Sequence, residues 1–103
     1  MILFQELPTF TRQAADLLPD DELFALQDQL LELPAAGDII PGGKGLRKLR
    51  WRGSGRGKRG GLRIIYFWVT DDGVIILCRV YAKNEQEDLE KSELRQILQQ
   101  LDP

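Results

Sequence analysis

Two apolar runs of similar length, Leu62–Thr70 (LRIIYFWVT) and Val74–Ala82 (VIILCRVYA), flank the triplet Asp71-Asp72-Gly73. Asp-Gly is a strong hairpin-turn signal, and β-branched and aromatic residues dominate both runs, so the pair reads as an antiparallel hairpin. Neither strand can leave both faces in water. The hairpin must lie inside a sheet, with helices covering one face. The other face is then left to carry Arg63, or residues near the strand ends, into a shallow cleft. With 103 residues, the chain has to supply that cover as one small domain spanning 1–103.

The N-terminal third provides helical material. Ile2, Leu3 and Phe4 suit a short first strand, ended by Pro8 and Thr9. Thr9 or Thr11 can cap a helix reaching about Leu18, with Phe10, Ala14, Leu17 and Leu18 on one side. Pro19-Asp20-Asp21-Glu22 starts a second helix, since proline is tolerated in a first turn and acids favour the positive end of the helix dipole. Leu23, Leu26, Leu30 and Leu31 recur at helical spacing, Phe24 and Leu33 widen the stripe, and Pro34 stops it. That stripe reads as core. Ala35–Gly45 is a loop broken by Gly37, Pro41, Gly42 and Gly43. A strand follows from about Leu46 to Trp51, and a last helix from Asn84 to about Gln100 carries Leu89, Leu94, Ile97 and Leu98. The order β–α–α–β–β–β–α predicts an α+β fold: a twisted, mainly antiparallel four-stranded sheet with two N-terminal helices and a C-terminal helix.

Between loop and hairpin, the charge reverses. Lys44, Arg47, Lys48, Arg50, Arg52, Arg56, Lys58, Arg59 and Arg63 fall within Lys44–Tyr66, and no acid interrupts them. Before Lys44 the only base is Arg12, against eight acids, and the whole chain has net charge -2. A cationic run spaced by glycines and entering a strand marks a surface for a polyanion, mounted on a sheet. In the Leu46–Trp51 strand, Leu46, Lys48 and Arg50 share one face, and Arg47, Leu49 and Trp51 the other. Trp51 suits either packing at the sheet or stacking on a base. Tyr66 shares the phase of Ile64 and Trp68 and reads as core, whereas Tyr81 is out of phase with Cys78 and Val80. The glycine-rich GSGRGKRGG is no dinucleotide fingerprint, because no helix follows it.

Other classes are disfavoured. The start, MILFQELP, lacks the basic n-region and long apolar core of a signal peptide, and no run is long enough to span a bilayer. A single cysteine, Cys78, permits no internal disulfide. A cytoplasmic protein without membrane contact is expected. With no histidine, one cysteine and a site that repels cations, neither a metal nor another cofactor is expected.

The segment GLRKLRWRGSGRGKRGGLRIIYF, followed by a hairpin, VYAKNEQEDL and a closing helix, resembles the RelE superfamily of bacterial toxins, and within it the HigB-like branch of type II toxin–antitoxin systems. The resemblance spans nearly the whole chain. It implies an mRNA interferase that enters the ribosomal A site and cuts the message. It also implies a cognate antitoxin, here a helix-turn-helix HigA-like protein, with operator DNA bound only through the toxin–antitoxin complex. By position, the family's basic residue of the second strand falls on Lys48 or Arg50, the arginine opening the third strand on Arg63, and the residues after the fourth strand on Lys83 and Asn84. The sequence departs from the best-known RelE pattern in three ways. No arginine directly follows Lys83, Leu89 stands about where a tyrosine belongs, and there is no histidine, which some HigB toxins use.

Metal-free RNA cleavage requires a proton acceptor for the 2′-hydroxyl, stabilisation of the phosphorane and a proton for the 5′-oxygen. Arg50, Arg56 and Arg63 suit the second need, since a guanidinium fork donates two hydrogen bonds to phosphate. Crowded cations lower one another's proton affinity, so Lys58 or Lys48 suits the base, and Tyr81 or Lys83 the acid. Arg47, Arg52, Arg59 and Asn84 complete the expected RNA-binding set. Two other functions fit the same basic run: a ParE-like gyrase poison that cuts no RNA, and a nucleic-acid-binding module without catalysis.

Overall fold

The computed structural model describes residues 2–52, 61–86 and 88–101. Its elements in order are β1 (Leu3–Glu6), α1 (Pro8–Leu17), α2 (Asp20–Glu32), β2 (Asp38–Ile39), β3 (Leu46–Trp51), β4 (Leu62–Val69), β5 (Val74–Ala82) and α3 (Lys91–Leu101). The strands form one sheet in the order β1-β5-β4-β3-β2. The β1–β5 pair is parallel and the other pairs are antiparallel. The sheet thus has five strands where the sequence predicts four. The extra one, β2, is only two residues long and lies in the expected loop, where Asp38 pairs with Lys48 and Ile39 with Arg47. So short a strand leaves no alternating pattern to read.

The hairpin forms as expected. Gly73 closes its turn with φ 65, and its N–H donates to Val69 O at 3.0 Å. β4 is buried along most of its length because both its faces are covered. On one face, Leu49, Trp51, Leu62, Ile64, Tyr66, Ile75, Leu77 and Val80 pack against Phe10, Ala14 and Leu18 of the α1 region and Leu26 and Leu30 of α2. On the opposite face, Leu46, Ile65, Cys78 and Tyr81 pack with Ile97 of α3, and Leu94, Leu98 and Leu101 join from the same helix. The expected open face is therefore largely roofed by α3, and among the described residues of β3 on that face Arg50 stays exposed. Apolar burial of this kind is worth roughly 25 cal/mol per Å², which keeps both layers closed.

Local chemistry shifts the helix ends. Pro8 is the first residue of α1, and Leu7 rather than a threonine precedes it. Thr11 instead donates its hydroxyl to Glu6 Oε1 at 2.7 Å. α3 starts at Lys91, not Asn84, because Lys83–Glu85 turns away and Glu85 N–H donates to Ala82 O at 3.0 Å. Glu93 marks the true start by accepting the Glu90 N–H at 3.4 Å, a reach-back of the capping-box kind. Phe24, Leu31 and Leu33, read as part of the core stripe, are exposed. The buried stripe of α2 is narrower than its sequence suggests.

One irregularity governs the site. Tyr66 pairs with Leu77 and Ile65 with Arg79, so Cys78 is an extra residue in β5. This β-bulge lies where β1 gives out, since the β1 register ends at Glu6 with Leu77. Beyond that point the β5 edge is met by a side chain: Val80 N–H donates to Gln13 Oε1 at 2.9 Å. The bulge swaps the faces of every later residue in the strand. Cys78 and Tyr81 therefore lie on the α3 face together, which corrects the simple alternation that set them apart.

Candidate nucleic-acid interface

Cross-strand pairing assembles a row on the α3 face. Arg50 pairs with Arg63, and Arg63 with Tyr81. The next row on that face is Lys48, Ile65 and Arg79. Directly opposed residues in adjacent strands hold their Cβ atoms about 5 Å apart. Four sequence-predicted residues, Lys48, Arg50, Arg63 and Tyr81, are thereby brought to one place. The cause is the period of two in β3 and β4, with the bulge carrying Tyr81 round to join them.

These groups differ in environment. Arg50 is exposed, whereas Arg63 is 6% exposed and directs Nη1 to Leu62 O at 3.4 Å. Tyr81 is also buried, and its hydroxyl has no hydrogen-bond partner among the described residues. Burial pushes its pKa up to about 12, the carboxylates of Asp88 and Glu93 add to the rise, and the Arg63 guanidinium opposes it. At neutral pH Tyr81 is thus a protonated donor without an acceptor among the described residues. Lys48 Nζ forms an ion pair with Asp88 Oδ1 at 2.7 Å. Asp88 is 72% exposed and Lys48 30%, so the pair is weak, about 0–1 kcal/mol, and open to competition from a phosphate.

Other expected residues flank this row. Arg52 directly follows β3, and Lys83 and Asn84 lie in the turn after β5; all three are exposed. Lys83 N–H donates to Gly61 O at 3.2 Å, which ties that turn to the start of β4. Gly61 has φ 69, and a Cβ there would lie 2.6 Å from Trp51 O, so only glycine fits where the chain re-enters the sheet. Arg56, Lys58 and Arg59 lie outside the described residues.

Arg47 does not join the row. It projects from the opposite face of β3, and its Nη1 donates to Gly37 O at 2.8 Å and Ala35 O at 3.3 Å, bracing the loop before β2. Trp51 and Tyr66 pack in the core on the α1–α2 side. The Tyr66 hydroxyl donates to Pro34 O at 2.7 Å and accepts the Gly37 N–H at 2.9 Å. Two residues beside the row were missed by sequence reasoning. Arg79, 2% exposed, directs Nη1 to Cys78 O at 2.7 Å and Nη2 to Gln100 Oε1 at 3.2 Å. Only knowledge of the bulge would have placed it on this face. Asp88 was hidden in the segment assigned to the last helix.

The arrangement sets guanidinium groups, chemically suited to bind phosphate, beside a buried phenol and a half-buried ammonium. Among solved structures, the chain matches a doubly substituted mutant of the E. coli toxin RelE in the free state, with TM-score 0.63 and 14% identity over 97% of each chain. The chain has the RelE fold. A second match is the intact E. coli RelBE toxin–antitoxin complex, with TM-score 0.54 and 17% identity over 80% of this chain and 96% of the other. No family model matches the sequence. On the RelE fold of this chain, the Arg50–Arg63–Tyr81 row lies on the sheet face that also carries α3.

Proposed function

We propose that this protein is a single-domain toxin of the RelE superfamily, of its HigB-like branch, and that it is a metal-independent, ribosome-dependent mRNA endonuclease. The observation that carries the reading is the Arg50–Arg63–Tyr81 row, with Lys48 in the adjacent row, on a RelE fold. Arg50 and Arg63 bind the scissile phosphate and stabilise the charge that grows on the phosphorane. Lys48 or Lys58 accepts the 2′-hydroxyl proton. Tyr81 or Lys83 donates a proton to the leaving 5′-oxygen. Arg52, Arg56, Arg59 and Asn84 guide the flanking RNA backbone.

Tyr81 favours the donor role on physical grounds. It keeps its proton at neutral pH, and its hydroxyl lacks an acceptor within the described structure. Its oxygen is sealed from solvent, so contact with RNA requires the side chains that cover it to shift.

The partners in this reading are the ribosome with its message, in the cytoplasm, and a cognate antitoxin of the HigA-like, helix-turn-helix kind. The likeness to the RelBE toxin–antitoxin complex supports an antitoxin partner. Operator DNA is bound only through that complex. Among the described residues no helix is long and apolar enough to cross a membrane. Primer extension on total RNA after induction tests the proposal. Cuts linked to codons support it, whereas DNA damage with intact message supports a ParE-like gyrase poison. An effect on neither leaves a binding module without catalysis.

A further inference from the structure

A cavity of about 350 Å³ adjoins the basic row, between β2 with the turn after it and the segment leading into α3. Ile40 and Leu89 give it apolar wall on the α3 face, Asp38 and Lys91 stand at it, and the paired Lys48 and Asp88 line it one row from Arg50 and Arg63. Its size falls within the range of small-molecule sites, and its mix of apolar wall with a few polar groups is typical of them. We propose that this cavity is a nucleobase subsite, and that it selects guanine for the nucleotide whose phosphate is held by Lys48. The inference rests on the reading of the basic row as an RNA site.

The choice of guanine follows from donors and acceptors. A carboxylate presents two acceptors, and the Watson–Crick edge of guanine presents two adjacent donors, N1–H and the 2-amino group. Adenine and cytosine offer one amino donor beside a ring nitrogen that repels a carboxylate. Uracil offers one N–H between two carbonyls, which also repel it. Asp38 has no ion pair in the described structure, so its carboxylate is available for this role. On the opposite edge of guanine, O6 and N7 are both acceptors and suit the Lys91 ammonium. Ile40 and Leu89 supply apolar surface for the flat faces of the base. Lys48 lines the same cavity and sits one row from Arg50 and Arg63, so a base seated here brings its own phosphate to the cationic row.

The test uses the full chain. Backbone amide NMR shifts are followed during titration with GMP, AMP, CMP, UMP and inorganic phosphate. GMP is expected to shift the amides around Ile39, Leu89 and Lys91 and to bind at least about fivefold more tightly than the other nucleotides. Asp38→Asn, which keeps shape and backbone pairing, is expected to abolish that preference. Equal binding of all four nucleotides, reproduction of the shifts by inorganic phosphate, or a preference that survives Asp38→Asn would each overturn the subsite. Ribosome-dependent cleavage is read in parallel. Cuts biased to guanine at one fixed position, with the bias lost in Asp38→Asn, support the subsite. Cuts without any such bias overturn it and leave the nuclease standing. A guanine preference lost in Asp38→Asn without any cleavage keeps the subsite and removes the nuclease.

Discussion

Lys48 and Asp88 are joined at 2.7 Å across 40 residues of sequence. On the proposed function, the carboxylate competes with an RNA phosphate for Lys48. Removing the carboxylate charge with Asp88→Asn should raise affinity for a short RNA about two- to fivefold, while changing folding stability by less than about 1 kcal/mol, since the pair is exposed. Fluorescence anisotropy at several salt concentrations, with urea melts alongside, measures both. Unchanged or weaker RNA binding would mean that the pair does not guard the site.

Arg63 stands between Arg50 and Tyr81 and is the most enclosed cation of the row. Arg63→Met keeps a long apolar stem for burial but loses the guanidinium. Message cleavage in a reconstituted translation reaction should fall roughly 10²–10³-fold, the usual loss when one preorganised donor to a reacting oxyanion is removed. A circular dichroism spectrum like the parent's establishes that the fold is intact. Cleavage within a few-fold of the parent would take Arg63 out of the mechanism.

The two buried tyrosines should respond to loss of the hydroxyl with opposite signs. Tyr66→Phe removes the bridge between Pro34 O and Gly37 N–H and strands a buried donor, so it should destabilise the protein by about 1–3 kcal/mol. Tyr81→Phe removes a hydroxyl with no partner among the described residues and should leave stability equal or raise it by about 1 kcal/mol. In the same variant, cleavage should drop. Urea denaturation of both proteins gives the comparison, and a clear destabilisation by Tyr81→Phe would reveal a structural role instead.

Alkaline conditions should weaken the fold. Burial raises the Tyr81 pKa from 10.0 to about 12 and that of the Cys78 thiol from 9.0 to about 12, and Tyr66 also moves upward. In each case the unfolded chain ionises first. The stability tied to the neutral groups is complete below their unfolded values and is lost as pH rises towards 12. The melting temperature should therefore decline from about pH 9 upward, first through Cys78 and then through the tyrosines. Tyr81→Phe should make the decline above pH 10 shallower. A melting temperature that stays flat between pH 9 and 11 would contradict this assignment.

Much of the fold is legible in the order of residues because the signals are local. The hairpin is written in Asp71-Asp72-Gly73 and its flanking runs, and α1 and α2 in leucine spacing and Pro19. Other features depend on partners distant in sequence. β2 forms by pairing with Lys48 and Arg47, and β1 lies parallel to β5, a strand far along the chain. The position of α3 over Leu46, Ile65 and Cys78 turned an expected open cleft into a largely roofed face. Arg47 is one cation among nine in the Lys44–Tyr66 run, and the nearby carbonyls of Ala35 and Gly37 give it a bracing role.

The sequence by itself determined that Lys48 and Arg50 share a face, because side chains alternate along any extended strand, whereas the β3–β4 register that sets Arg63 opposite Arg50 came from the fold. Only the tertiary structure decided that Tyr81 joins them and that Asp88 pairs with Lys48. Tyr81 reaches that face through the bulge at Cys78, which lies where β1 ends, and Asp88 reaches it because the chain turns at Lys83 before α3 begins. Both outcomes depend on where distant segments stop, and no local periodicity records that.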